Sequence, residues 1–215
     1  METTAPTGLT RRKAPQQTRS AATVNAIFEA TIQVLLRDGP NRLTTTRVAQ
    51  RAGVSVGTLY QYFPHKRAVL YAVLDHHLKT IADAIETTCL EHRGATTEAM
   101  AEAVIGSYLR AKMSQLDTAR AFNLVSVELD ARGIVGAATL RGEQAIAAML
   151  LTASDGQFPH PQLVAQILLA SVYGTVRAFL ERDLPPKLGG EVEQQLTIMC
   201  RSYLTATSRV KSRAT

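Results

Sequence analysis

The chain has 215 residues, 46% of them hydrophobic and 20% charged, with two cysteines and a formal net charge of +6. That balance excludes a chain disordered throughout. Cys89 and Cys200, far apart in a chain whose first 17 residues lack the apolar core of a secretory leader, argue against a disulfide framework. The longest nearly uncharged apolar stretch, Leu163 to Val176, reads as too short and too polar for the ~20 helical residues that cross a bilayer, so a soluble cytoplasmic protein is expected.

Charge is unevenly placed. Residues 1 to 67 hold ten Lys/Arg against three Asp/Glu, and the remainder holds fourteen against fifteen. The excess points to a polyanion met by the first third of the chain, or to a solvated basic face.

Residues 1–16 read as a flexible basic arm, in which Arg11, Arg12 and Lys13 either reach toward an adjacent groove or keep the tail solvated. From Thr18, apolar residues Ala22, Ala26, Ile27, Ala30, Val34 and Leu35 recur at helical steps until Asp38-Gly39-Pro40 stops them. Thr44-Thr45-Thr46 can cap a second helix ending at Gly53, and Ser55 can cap a third, residues 56 to 62, which Pro64 terminates. A long helix follows from His65 to about Glu91. Four or five more are expected, near 97–115, 117–131, 136–153, 160–182 and 190–208, with breaks at Gly94, Gly133, Asp155-Gly156 and Pro185 to Gly190. No confident strand and no repeat is seen, so the fold is read as all-α, with about nine helices.

The stretch Gly53-Val54-Ser55-Val56-Gly57 has two readings. It matches the G-x-S-x-G pattern of a serine-hydrolase nucleophile elbow, but an elbow needs a buried strand before the serine, and Thr45 to Ala52 is helical. It also fits the turn of a helix-turn-helix: Ala49 is small where the helices meet, Gly53 supplies a left-handed turn, and Val48, Ala52, Val54, Leu59 and Tyr62 fall inward. Catalysis is therefore not expected. The third helix then turns Val56, Gly57, Thr58, Tyr60 and Gln61 outward. Gln61 can read adenine and Thr58 or Val56 a thymine methyl, while Thr45, Tyr60, Tyr62, His65 and Lys66 suit phosphates. Gly57 is costly inside a helix unless a phosphate or base edge lies against it.

Leu43-Thr44-Thr45-Thr46-Arg47-Val48-Ala49-Gln50-Arg51-Ala52-Gly53-Val54-Ser55-Val56-Gly57-Thr58-Leu59-Tyr60-Gln61-Tyr62-Phe63-Pro64-His65-Lys66 resembles the N-terminal domain of the tetracycline-repressor (TetR) family of bacterial transcription regulators. Arg67 stands where the family usually has an acidic residue. The resemblance implies a helix-turn-helix domain over residues 17–77 (the helix-turn-helix itself about 40–63), with Thr46 and Ser55 added to the DNA-facing set. It also implies a helical regulatory and dimerisation domain over 78–215. A homodimer through the last two long helices (160–182 and 190–208), double-stranded operator DNA and a small-molecule inducer are the implied partners. The alternative is a ligand-independent regulator or activator with the same head; a hydrolase at Ser55 is the remote one.

Tyr108, Asn123, Glu128, Tyr173 and Arg177 are polar or aromatic residues within apolar helical contexts, hence candidate ligand contacts. Cys89 and His92 share a helical face but lack further ligands, and His76 and His77 diverge around a helix, so no metal and no cofactor is expected.

Overall fold

The computed structural model describes residues 18–113, 116–182 and 189–210. Among them run nine helices: α1 (Thr18–Arg42), α2 (Thr45–Ala52), α3 (Val56–Tyr62), α4 (Lys66–Glu91), α5 (Thr97–Met113), α6 (Leu116–Glu128), α7 (Arg132–Leu150), α8 (Pro161–Glu181) and α9 (Gly189–Thr207). The all-α reading holds, with one small addition. Strands β1 (Gly156–Gln157) and β2 (Arg209–Val210) pair antiparallel, and two-residue strands are too short to leave a period in the sequence. The basic arm lies outside the described residues.

The helices pack as two compact units. One holds the chain up to Leu78 together with Asp117–Val135, and the other holds Lys79–Leu116 and Gly136–Thr215. In the first, Ile27, Leu43, Leu59, Phe63, Leu70 and Phe122 are among the side chains withdrawn from water. Phe28 lies against Phe63 and His76, and His77 lies against Phe122 with ring centroids 4.7 Å apart. The Thr31 hydroxyl, buried in α1, donates to the Ile27 carbonyl at 2.7 Å and so meets its need within its own helix.

Helix α1 is continuous in assignment but broken in geometry. Gly39 takes φ 75°, ψ 169°, a conformation essentially reserved for glycine, so the stop expected at Asp38-Gly39-Pro40 is a kink that lets the last residues resume helical form. A second difference lies between α6 and α7. The break expected at Gly133 falls at Asp130, which takes φ 51°, and Gly133 lies inside α7. The Ala131 N–H reaches Ser126 O at 2.9 Å and the Asp130 N–H reaches Val127 O at 3.2 Å, the closure of a Schellman end with aspartate in the left-handed seat. Asp tolerates that region better than most residues, and Arg132 brackets its carboxylate.

In the second unit, Gly142 is buried, and a Cβ there would stand 3.2 Å from Leu169 Cδ2 on α8 and 3.5 Å from Ile85 Cδ1 on α4. The absence of a side chain is what lets α7 approach both helices. Asp155 accepts both the N–H and the hydroxyl of Thr97, at 2.8 and 2.7 Å, which fixes the start of α5 to the loop before β1. Arg201 of α9 pairs with Glu98 and Glu102 of α5. Helix α8 at 21 residues is long and apolar enough, by length and composition, to cross a membrane, which the shorter count from Leu163 to Val176 did not suggest. Val164, Leu168, Leu169, Val172, Val176 and Phe179 are nevertheless buried on one side of it, the pattern of a core helix.

Candidate nucleic-acid interface

The turn between α2 and α3 is built from its backbone outward. Gly53 sits at φ 68°, ψ 27° and donates to Gln50 O, while the Val54 N–H reaches Ala49 O at 3.0 Å. This is a Schellman closure with glycine in the left-handed seat, where a Cβ would be strained. At the other end of α2 the Thr44 hydroxyl accepts the Arg47 N–H at 3.3 Å. Val48 and Ala49 are fully buried, so the small residue sits where α2 meets its neighbours.

Ser55 caps α3: its Oγ accepts the Thr58 N–H at 2.9 Å and lies 2.8 Å from Thr58 Oγ1. A helix and a left-handed turn precede it in place of a strand, so the geometry that would expose a nucleophile at an elbow is not built. Leu59 and Tyr62 bury the inner face of α3, while Gly57, Tyr60 and Gln61 are exposed and Val56 and Thr58 half-buried. The Tyr62 ring is buried, and its hydroxyl lies 3.0 Å from Ser20 Oγ, so this residue packs α3 against the start of α1. The Tyr60 hydroxyl lies 3.1 Å from Thr45 Oγ1, joining the first turn of α2 to the outer face of α3. Thr46 is exposed beside it.

Gly57 has open space around it. A Cβ there would meet nothing closer than Ser55 Oγ at 3.7 Å, and the backbone is helical. Neither conformation nor internal packing calls for glycine at this position.

The arginines of α2 are tied back to α1. Arg47 donates to Asp38 at 3.3 Å and to the Arg42 carbonyl at 3.0 Å, and Arg51 donates to Gln33. Arg37, hydrogen-bonded to Asp38, holds that carboxyl below its ordinary range. Lys66 and Arg67, by contrast, make no ion pair among the described residues. They open α4, where His65 Nδ1 accepts the Ala68 N–H at 3.1 Å. A neutral His65 in that bond carries its proton on Nε2, ready to donate elsewhere.

The five candidate ligand contacts divide between the units. Asn123 (half-buried) and Glu128 (exposed) belong to the first, and the Asn123 carbonyl accepts from Ser126 Oγ at 2.7 Å. Tyr108, Tyr173 and Arg177 belong to the second. Burial, followed by the nearby Tyr173, raises the Tyr108 hydroxyl well above its ordinary value. Arg177 bonds Glu181 at 2.7 Å on the exposed side of α8. Among the described residues no cluster of three or more His, Cys, Asp or Glu side chains could hold a metal. Burial pushes the Cys89 and Cys200 thiols up to about 12, so neither is a thiolate near neutral pH.

A groove of about 340 Å³ opens in the second unit between the C-terminal half of α4 and α7, lined by residues that include Glu86, Leu90, Arg93, Arg141 and Met149. None of the five candidates lines it. Glu86 and Arg141 stand 55 positions apart in sequence, and no local pattern reveals that they meet.

An all-helical chain with a glycine-turned helix pair presenting a polar outer face is a helix-turn-helix DNA-binding regulator. The profile described as bacterial regulatory proteins, tetR family, matches residues 27–73, and that described as Tetracyclin repressor-like, C-terminal domain, matches residues 96–204. The chain belongs to the TetR family of transcription regulators. A curated relative, the nucleoid occlusion factor SlmA of Actinobacillus pleuropneumoniae, is 34% identical over 68 residues, 32% of this chain and 33% of its own length. The match thus spans about a third of that relative. Among solved structures, one described as a TetR-family regulator from Mesorhizobium loti superposes with TM-score 0.71 at 18% identity, covering 90% of this chain and 100% of the other. The fatty acid degradation regulator FadR from Bacillus halodurans gives 0.64 at 18% identity over 86% and 97%.

Proposed function

We propose that the protein is a cytoplasmic dimeric repressor, and no enzyme, that places two copies of α3 in successive major grooves of a pseudo-palindromic operator, about 34 Å apart. The observation that carries the DNA-facing assignment is the outer face of α3: Gly57 bare without internal reason, Tyr60 and Gln61 exposed, and Thr45 held to Tyr60. Gln61, Thr58 and Val56 read base edges, while Thr45, Thr46, Ser55, Tyr60, His65 and Lys66 hold the backbone. Tyr62 acts by seating α3 on α1.

The dimer is supported by the outer faces of α8 and α9. Leu163 is 53% exposed, Ile167 43%, Ile198 48% and Met199 40%, and Ala170 and Gly174 are exposed along the same side of α8. Apolar side chains on an outer face are the material of a subunit interface. Release by a small molecule follows if the effector binds more tightly to a form of the dimer that fits the operator poorly, and relief is limited by that difference in affinity. Tyr108, Tyr173 and Arg177 are proposed contacts within the second unit, and Asn123 and Glu128 within the first.

The test is a gel-shift titration on an operator selected from random DNA. Tyr60→Ala and Lys66→Ala weaken binding while the dimer and its helicity remain, and Lys66→Ala lowers the slope of log K against log salt by about 1. Unchanged affinity in both proteins overturns the proposed face.

A further inference from the structure

The groove between α4 and α7 is unevenly charged. Arg141 spans to α4 and grips Glu86 through Nε at 2.8 Å and Nη2 at 2.6 Å, while the same Nη2 reaches Asp83 at 2.7 Å. The bonds to Glu86 and Asp83 raise the guanidinium well above its ordinary value and commit its Nε and Nη2 to carboxylates. Glu86 is consumed in the same way, and a cationic ligand would find no uncommitted carboxylate in the groove. Arg93, which also lines the groove, is exposed and makes no ion pair among the described residues. Among the lining residues Glu86 and Arg141 offset each other and Arg93 adds one positive charge, while Asp83 meets Arg141 from outside the lining.

Apart from the exposed Gln144, the rest of the lining is apolar. Cys89, Ala145 and Met149 form part of it, with Ala148 and Leu90 toward the outside; Leu90 is 65% exposed in the free protein. A leucine left in water at the rim of a groove gains by being covered. At about 340 Å³ the space stands at the small end of the ~300–1,000 Å³ of ligand pockets, too small for a folded partner.

We propose that this groove is an effector site for a small amphipathic carboxylate, medium-chain or aryl, whose anionic head pairs with Arg93 and whose apolar body lies along Leu90, Ala148 and Met149. The site is separate from Tyr108, Tyr173 and Arg177. Its regulatory meaning rests on the repressor reading, because α4 carries residues of both units and lies on one wall of the groove.

The test is calorimetric titration of the full-length protein, without DNA, using octanoate as probe, with octylamine and octanol as charge-reversed and neutral controls. Octanoate binds at one site per chain, and both controls bind at least about tenfold more weakly. Arg93→Gln weakens octanoate by about tenfold, Ala148→Trp fills the groove and removes binding, and Tyr108→Phe leaves it unchanged. Circular dichroism of the Ala148→Trp protein checks its fold, and Arg93→Gln, at an exposed position, stands as the second variant. The proposal is overturned by no octanoate binding at millimolar concentration, by an unchanged Arg93→Gln affinity, by octanol or octylamine binding as tightly, or by loss in Tyr108→Phe. Binding with the expected variant pattern but no change in operator affinity supports the site and counts against release by this effector.

Discussion

The outer face of α3 and the outer face of α8 are both exposed, and they are made of opposite materials. On α3 the exposed side carries glycine, tyrosine and glutamine, small or polar groups that keep their water until a polar surface replaces it. On α8 it carries Leu163 and Ile167, which water disfavours. On the proposed reading, the helix that meets a polyanion and the helix that meets another protein differ in which residues are left uncovered. The difference also separates two kinds of constraint. A DNA-facing surface restricts residue type position by position, whereas an apolar contact restricts only size and polarity.

Three variants press on that contrast. The largest effect is expected from Leu163→Glu combined with Ile167→Glu, which places two carboxylates in the proposed subunit contact: sedimentation should show a monomer, and operator binding should be lost with it. A dimer that survives both charges breaks the comparison. On α7, where it meets the buried side of α8, Gly142→Leu drives atoms into Leu169 and Ile85, and should destabilise the second unit by ~1–3 kcal/mol in a denaturant titration. The smallest energy belongs to Gly57→Ala. It should stabilise the protein by ~1 kcal/mol, because alanine is the better helix former, while weakening operator binding. Stability and affinity moving in opposite directions is the sharpest signature, since a glycine retained for packing would lose both.

The head was legible because its turn is written in residues of restricted conformation. Gly53 at the left-handed seat, Thr44 and Ser55 at caps and Leu59 facing inward each follow from short-range chemistry. The same closure between α6 and α7 was missed because Asp130 fills the left-handed seat there, and glycine at 133 drew the break three residues too late. Tyr62 shows the limit of a facing argument: it fits both an inward packing role and a phosphate contact by spacing, and only its bond to Ser20 reveals what its hydroxyl meets. In the second unit, what organises the groove is the meeting of Arg141 with Glu86 and Asp83, and such a meeting leaves no periodic trace. Whether a polar residue inside an apolar helix serves a ligand or a neighbour is a property of space and not of spacing.

The hydroxyl pair formed by Thr45 and Tyr60 also bears on the tempo of binding. Two side chains on separate helices that hold each other in the free protein have given up their rotational freedom at folding, and do not lose it again when a target arrives. Ordering such groups at the moment of contact ordinarily costs ~0.5–1.5 kcal/mol for each. The pair therefore presents two positioned hydroxyls, one of them with its O–H still free of the pair, ahead of any encounter. Its loss should show first as a shorter residence time on the target and only weakly in the rate of arrival.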